Sequence, residues 1–562
     1  MIYGGTMDKI NTEQLTITEV RHFPVVKHYA KRLRLVETIN EMVPSEMELS
    51  PGVTVLAMVH DTLSGRSPLY RLAEFFDEKD TELLLGESID PSCFNDTNVG
   101  RAMDRIYEKG TLSIFSKISQ TTLVEFGVDA RRLNFDTTSV SVYGDYTREE
   151  EDEPPFKITY GYSKDKRPDL KQFLISMLCV DRNIPIFGAT KDGNASDKTL
   201  NNELLTQISK HMANHGLSKG AYVYVSDSAL VSEANFMEAE KNGTRVLSRL
   251  PATYNECARA IDAAVAAGKW EDVGTLANDS GSEKRPLAHY KTQDVDVALF
   301  GKTYRAIVVH SSVYDKRRHK KIDRAIENDY KELEKLCKNA TAIPFFCEKD
   351  AKAAAEKLVR SADSAYHALL TDIKEIPKYG RGRPVKGQPR TITGYDYVLS
   401  ATIRQVPEKT ELLRRKAGCF VLITNITDTK TWPSDELLAL YKSQIGIEKN
   451  FGFLKDPVIV NSIFLKKAER IEVLGLVLLI ALLIWRLMER SMRLYVEKTG
   501  CTMVGWEKRP TKKPTAFMMT TKFSKIMAIT MGGYRQLAKP LKDYQLEYLA
   551  ALDVPIDAFT IP

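Results

Sequence analysis

The feature that most narrows the folds open to this chain is the order of strand and helix signals between residues 131 and 250. Leu133 to Tyr143 (LNFDTTSVSVY) is rich in β-branched and aromatic residues, the make-up of a pleated, half-buried strand. Leu170 to Val180 (LKQFLISMLCV) reads as a second strand, Asp181-Arg182-Asn183 as a turn, and Ile184 to Thr190 as a third strand. An amphipathic helix is expected from about Asp197 to His215, a fourth strand at Ala221 to Asp227 (AYVYVSD), a helix over Ser232 to Asn242 and a fifth strand at Thr244 to Leu250. Three strands, helix, strand, helix, strand is the order of an α/β fold built on a mixed five-stranded sheet.

An RNase H-like core has that order and needs one more helix. Ser434 to Leu454 (SDELLALYKSQIGIEKNFGFL), with a Ser cap and helical periodicity, is the candidate. The long stretch before it mixes strand and helix signals and reads as a partly β domain inserted into the core, with an independent domain as the alternative. Upstream, Ser50-Pro51 opening an apolar run that ends at Gly65, and Asp96 to Gly110 with an Asp cap, read as helices. The expected organisation is therefore an N-terminal helical domain (1–128), the first part of an RNase H-like core (129–251), an insertion domain (252–431), the second part of the core with its last helix (432–495) and a C-terminal region (496–562). The acidic stretch Thr147 to Pro155 reads as a solvated loop. Val473 to Trp485 is an unbroken apolar run, but a bilayer span needs about 20 residues. A buried core helix is the better reading, so no membrane partner is expected.

Lys and Arg number 80 against 74 Asp and Glu, a net charge of +6. That mild excess suits a nucleic-acid partner without requiring one. Seven cysteines lie scattered with no Cys-x-x-Cys pair, so no zinc site is expected and reduced thiols in a cytoplasmic protein fit best. The first ten residues contain no apolar signal core, so export is not expected.

Asp136 stands inside the first strand and Asp227 at the end of the fourth. A carboxylate rarely belongs in an apolar strand unless it is paired or binds a metal. First and fourth strands are neighbours in an RNase H-like sheet, so the two side chains would converge at one edge. Tyr441, Gln444, Glu448 and Lys455 lie three, four and seven residues apart. On a continuous helix seven residues return to within about 20° of the start, so all four would share one face, with Glu448 turned to the sheet edge. Three carboxylates suit two Mg2+ ions, with Mn2+ an accepted substitute. Such a pair lowers the pKa of an attacking water or 3′-hydroxyl and stabilises the leaving oxygen. Asp145, Asp165, Asp169, Asp192 and Asp197 are rival carboxylates whose settings suit caps and turns better.

With these residues in place the sequence resembles DDE-type insertion-sequence transposases of bacteria and archaea. These are the subgroups with a β-rich insertion and a Tyr-x2-Arg-x3-Glu-x6-Lys signature. The resemblance rests on Phe135-Asp136-Thr137-Thr138-Ser139 with Tyr143-Gly144, on the basic loop Gly161 to Gln172, on Asp192-Gly193-Asn194 and Val225-Ser226-Asp227-Ser228, and on Ile447 to Lys455. Gln444 stands where the signature has Arg, which removes a charge from that position. The resemblance implies Asp136, Asp227 and Glu448 as catalytic metal ligands. It also makes residues 129–251 and 432–495 the catalytic core and residues 1–128 the DNA-end-binding domain, and implies binding to the terminal inverted repeats of an insertion sequence, metal-dependent strand cleavage, transfer of the freed 3′ end to target DNA, a homodimer on DNA and a cytoplasmic, nucleoid-associated location. A metal-dependent nuclease without joining activity, or a domesticated transposase-derived DNA-binding protein, are the alternatives.

Candidate DNA contacts are Tyr441, Gln444 and Lys455 along the glutamate helix, and Lys164 and Arg167 in the basic loop. Arg381 and Arg383 add an Arg-Gly-Arg-Pro core similar to a minor-groove hook, for which a charged linker is the alternative. The basic runs Lys316 to Lys321 and Lys508 to Lys513 read as phosphate contacts or, the commoner explanation of such runs, as solvated faces.

Overall fold

A computed structural model of the chain describes residues 15–65, 71–144, 146, 154–276, 287–382, 387, 389–456, 465 and 467–562. The fold is mixed α/β, and the chain divides into two compact units, Met1–Ser248 with Leu440–Pro562, and Arg249–Ala439. The first ten residues, Asp145, Arg383 and most of the acidic stretch after Tyr146 lie outside the described residues.

The first unit opens with β1 (Leu15–Glu19) and the helices α1 (Phe23–Arg32), α2 (Leu35–Met42), α3 (Pro51–Gly65), α4 (Leu72–Asp77), α5 (Thr81–Leu85), α6 (Asp96–Lys109) and α7 (Thr111–Glu125). Gly65, at φ 107°, takes the left-handed backbone that ends α3. The cap of α6 is Asn95, whose side chain accepts from the Asn98 amide, one residue before the Asp the sequence pointed to. Both residues cap well, and the β-region backbone of Asn95 decides between them.

Then come β2 (Arg132–Val142), β3 (Lys171–Val180), β4 (Ile184–Lys191), α8 (Asp197–Asn214), β5 (Val223–Val225), α9 (Glu233–Lys241) and β6 (Arg245–Arg249). They pair in the order β4-β3-β2-β5-β6, with β3 antiparallel to both neighbours and β2, β5 and β6 parallel. The turn into β4 uses positive φ at Arg182 and Asn183. The fourth strand is shorter than its apolar run, because Asp227 leaves the ladder to cap a 3-10 turn at Ser228–Leu230.

The second unit contains α10 (Asn255–Ala267), β7 (Glu271–Thr275), β8 (His289–Leu299), β9 (Lys302–Ser311), α11 (Ser312–Ala340), α12 (Glu348–Ser361), β10 (His367–Tyr379), β11 (Ile392–Gln405), α13 (Pro407–Lys416) and β12 (Cys419–Thr424). Antiparallel pairing gives the order β12-β9-β8-β7. β10 and β11 form a separate two-stranded ribbon. A small core of Ala355, Leu358 and Leu399 joins α12 to its base, with Leu336, Ala340, Phe345, Leu369 and Ile373 around it.

α14 (Ser434–Lys442) leads back into the first unit, which closes with α15 (Ile445–Leu454), α16 (Ala468–Thr499), the two-residue strands β13 (Met503–Val504) and β14 (Pro510–Thr511), α17 (Ala516–Phe523), β15 (Met527–Met531), β16 (Tyr534–Leu537) and α18 (Asp543–Leu552). α16 carries the apolar run and is buried along most of its length. By length and composition it could cross a membrane, yet 89% of its most apolar window is covered by the surrounding protein. It lies against β4, where Gly188 makes room: a Cβ there would sit 2.4 Å from a Leu479 methyl. β1 pairs antiparallel with β15, so residues near the two ends of the chain share one small sheet.

Candidate catalytic site

β2 runs down the middle of the first unit's sheet, and its register sets the site. Asn134 pairs with Val225, the last residue of β5, in parallel alignment. Asp136 lies two residues beyond that pair on β2 and Asp227 two residues beyond it on the chain leaving β5, close enough for their charges to interact. Side chains alternate along a strand, so Asn134, Asp136 and Thr138 share one face and Leu133, Phe135 and Thr137 the other. On the second face Phe135 stacks on Tyr224, with ring centroids 5.9 Å apart, and the Tyr224 hydroxyl donates to Asn201 of α8 at 2.8 Å.

The carboxylates sit close enough to feel one another. Burial pushes the Asp136 carboxyl up to about 6; the Lys164 ammonium and the Thr137 amide oppose that, while the charges of Asp227 and Asp197 add to it. The Thr137 amide donates to Asp136 Oδ1 at 2.7 Å. Asp227 is exposed at its tip, but desolvation by the protein around it also raises its carboxyl, the Asp197 charge adds to this, and the Ala229 amide at 3.0 Å pulls the other way. Two carboxylates raised in this way, side by side, are short of positive charge.

Lys164 supplies part of it. Its ammonium lies 3.8 Å from Asp136 and 3.5 Å from Asp197. It donates to the Thr137 carbonyl at 2.7 Å and to the Thr137 hydroxyl at 2.9 Å. The Lys164 amide donates to Ser139 Oγ at 3.1 Å, which pins the loop to the strand edge. Asp197 is the member that sequence reasoning set aside. It looks like a helix-start acid, but Ser196 caps α8, leaving the Asp197 carboxylate to accept from the Thr137 hydroxyl and pair with Lys164. The only sequence signal was its place in the first turn of a helix following β4, which every capped helix shares.

Glu448 is held differently. The expected single helix over Ser434 to Leu454 is two helices. Between Ser443 and Ile447 four amides bond three residues back: Ser443 to the Leu440 carbonyl, Gln444 to Tyr441, Gly446 to Ser443 and Ile447 to Gln444. This is the tighter 3-10 winding, which turns about 120° per residue instead of 100° and so rotates everything beyond it. Tyr441 therefore lies on α14 and Glu448 on α15, and the four residues do not line one straight face. α15 docks on the Asp136 face of the sheet. Asn450 donates to the Asn183 carbonyl at 2.9 Å and approaches the sulfurs of Cys179 and Met177, the cross-strand partners of Asn134 and Asp136. Asn134 donates to Ser443 Oγ at 3.3 Å. Gly446 presses on Asn183, within 2.1 Å of where a Cβ would be. With Asn450 turned in, Glu448, two residues earlier, is exposed. Among the described residues no group of three His, Cys, Asp or Glu side chains is gathered as a metal site. Asp136 and Asp227 are hard, partly dehydrated oxygen donors of the kind a divalent cation takes, and Glu448 presents its carboxylate to solvent.

The remaining candidates spread out. Lys455 pairs with Asp165 at 2.6 Å, tying the end of α15 to the basic loop. Arg167 is occupied by its loop neighbour Asp169 at 2.6 Å. Gln444 is the partly buried residue that opens α15. Arg381 is exposed at the end of the β10–β11 ribbon. The run Lys316 to Lys321 forms a mostly exposed face of α11, and Lys508 to Lys513 an exposed turn.

Residues 15–120 match a family model described as a domain of unknown function, DUF4277. The match covers β1 and the helices as far as α7 and ends before the acidic cluster. No curated protein matches the chain.

Proposed function

We propose that this protein is a DDE-type DNA transposase. It binds the terminal inverted repeats of an insertion sequence, cuts strands and joins the freed 3′ ends to target DNA as a homodimer on DNA in the cytoplasm. The observation that carries the reading is that the parallel pairing of β2 with β5, which runs to Asn134 and Val225, brings Asp136 and Asp227 close enough for their charges to interact, beside Lys164. The strand order β4-β3-β2-β5-β6, with β3 alone reversed, supports an RNase H-like core. Mg2+, or Mn2+ in its place, would be held by Asp136 and Asp227 and would supply charge stabilisation at the phosphate. Lys164 and Lys455 would contact the backbone of the bound strand. The test is to incubate the purified protein with Mg2+ and DNA bearing the element's own ends. Cleaved and strand-transferred products are expected; their absence with intact binding would overturn the reading.

One observation favours a second reading, a transposase-derived DNA-binding protein: among the described residues no three acidic side chains are gathered as a metal site, and Glu448 stands exposed. End binding without cleavage at any Mg2+ or Mn2+ concentration would select it.

A further inference from the structure

The β10–β11 ribbon is longer than the core beneath it. His367 to Glu375 pair with Tyr397 to Gln405 over α11 and α12, where Leu369, Ile373, Leu399 and Ala401 pack. Beyond that the ribbon continues past a register shift at Lys378/Tyr379. Every residue from Lys378 to Gly382 and from Pro389 to Thr393 is exposed, on both faces. A two-stranded ribbon is marginal in water by itself, so an uncovered extension calls for something to cover it.

Its charge says what. From Ile376 to Tyr395 the sequence has no acidic residue and carries Lys378, Arg381, Arg383, Lys386 and Arg390. Asp396 neutralises Lys378 at 2.5 Å, and Arg390 lies over the Tyr379 ring, 5.8 Å from its centroid, with its charge still open to solvent. Arg381 makes no hydrogen bond or ion pair among the described residues. Tyr379, Ile392 and Tyr395 are 47%, 47% and 42% exposed beside these cations. A narrow, two-faced, cationic ribbon with aromatic side chains matches a duplex groove: the major groove of B-DNA, about 12 Å wide, admits a two-stranded ribbon.

We propose that the distal β10–β11 ribbon is a DNA-gripping arm that enters a groove of duplex DNA, with Arg381 and Arg390 on the flanking phosphates. This deepens the transposase reading, on which it rests, by naming a part of the DNA interface remote in sequence from the acidic residues. An acidic protein partner or an anionic membrane would also meet the charge, but neither uses the narrow ribbon with both faces bare.

The test uses the full-length protein, a labelled duplex several helical turns long, and Arg381→Ala, Arg381→Ala/Arg390→Ala and Arg381→Glu variants. Both positions are solvent-exposed, so the fold is expected to persist, and matching melting curves check this. The double variant should weaken duplex binding and flatten the slope of log affinity against log salt by about two, at about 0.9 per phosphate contact. The Arg381→Glu variant should weaken binding further than Arg381→Ala. An unchanged slope with normal wild-type binding overturns the arm while leaving cleavage, and so the transposase reading, intact. Duplex binding lost in the variants while the wild type never cuts its ends keeps the arm and overturns the enzyme. Failure of the wild type to bind duplex, or ribbon-dependent binding to phosphatidylserine vesicles instead, overturns the arm.

Discussion

Asp136 was legible from sequence because an acid in an apolar strand needs a reason, and its cost is visible in the fold. An acid whose folded pKa is raised resists ionisation: the penalty is absent below the unfolded value of about 3.9 and grows as pH rises through about 6. The side chain is 30% exposed, so water recovers part of that cost. Asp136→Asn is expected to stabilise the protein by about 1–2 kcal/mol near neutral pH, seen as a higher melting midpoint, and the gain should vanish at about pH 4. No gain at neutral pH would mean that the carboxylate is ionised there without penalty. Millimolar Mg2+ should raise the wild-type midpoint and leave Asp136→Asn and Asp227→Asn unmoved, since only a cation bound to the folded state stabilises it. Asp197 was not legible, because its role depends on the Thr137 hydroxyl and on Lys164, which the chain brings to it from far away in sequence. That leaves two acids competing for the third place in the proposed site. Asp197→Ala and Glu448→Ala should separate them: whichever abolishes strand cleavage while duplex binding persists is the third acid. Full cleavage in both variants would mean that neither serves.

At the scale of elements, β2, β3 and β4 fall within two residues of the bounds their composition indicated, because buried strands announce themselves by apolar and β-branched runs. The break between α14 and α15 was hidden for the opposite reason. Helical periodicity persists through Ser443 and Gln444, and nothing in Tyr-Lys-Ser-Gln-Ile-Gly marks a change of winding until Ser443 bonds back to the Leu440 carbonyl at 2.6 Å. α15 is also held by a group that sequence cannot place. Buried Arg486 of α16 donates to Asn450 Oδ1 at 2.6 Å and pairs with buried Glu489. Arg486→Ala would leave Asn450 Oδ1 without its donor and buried Glu489 with only the Ala516 amide at 3.3 Å and Arg493 at 3.8 Å, at a cost of about 3 kcal/mol. Arg486→Met/Glu489→Met, which removes both charges and keeps the volume, should regain much of this in urea unfolding. If the single variant costs under about 1 kcal/mol, the pair is not what fixes α15.

On the scale of the whole molecule, the expected N-terminal and C-terminal regions belong to one compact unit. β1 pairs with β15 from Leu15↔Met531 to Glu19↔Met527, the Tyr29 hydroxyl donates to the Leu552 carbonyl at 3.1 Å, and Arg535 pairs with Asp80 and Glu82. Pairings over such separations leave no local trace in sequence. Removing everything after Gly500 would strip β1 of its neighbour, take away the Leu552 carbonyl that the buried Tyr29 hydroxyl bonds, and uncover the face of α16 that meets α18. The truncated chain is expected in the insoluble fraction on expression; a soluble, cooperatively melting product would show that the N-terminal helices stand without their C-terminal cover.

The same closure bears on how the protein is made. A ribosome adds roughly 5–20 residues each second, so β1 emerges on the order of half a minute to well over a minute before β15 exists. Until then the helices of residues 15–120 wait with an open strand edge and uncovered apolar side chains, and any chaperone that attends this protein must stay until β15 and α18 have been translated.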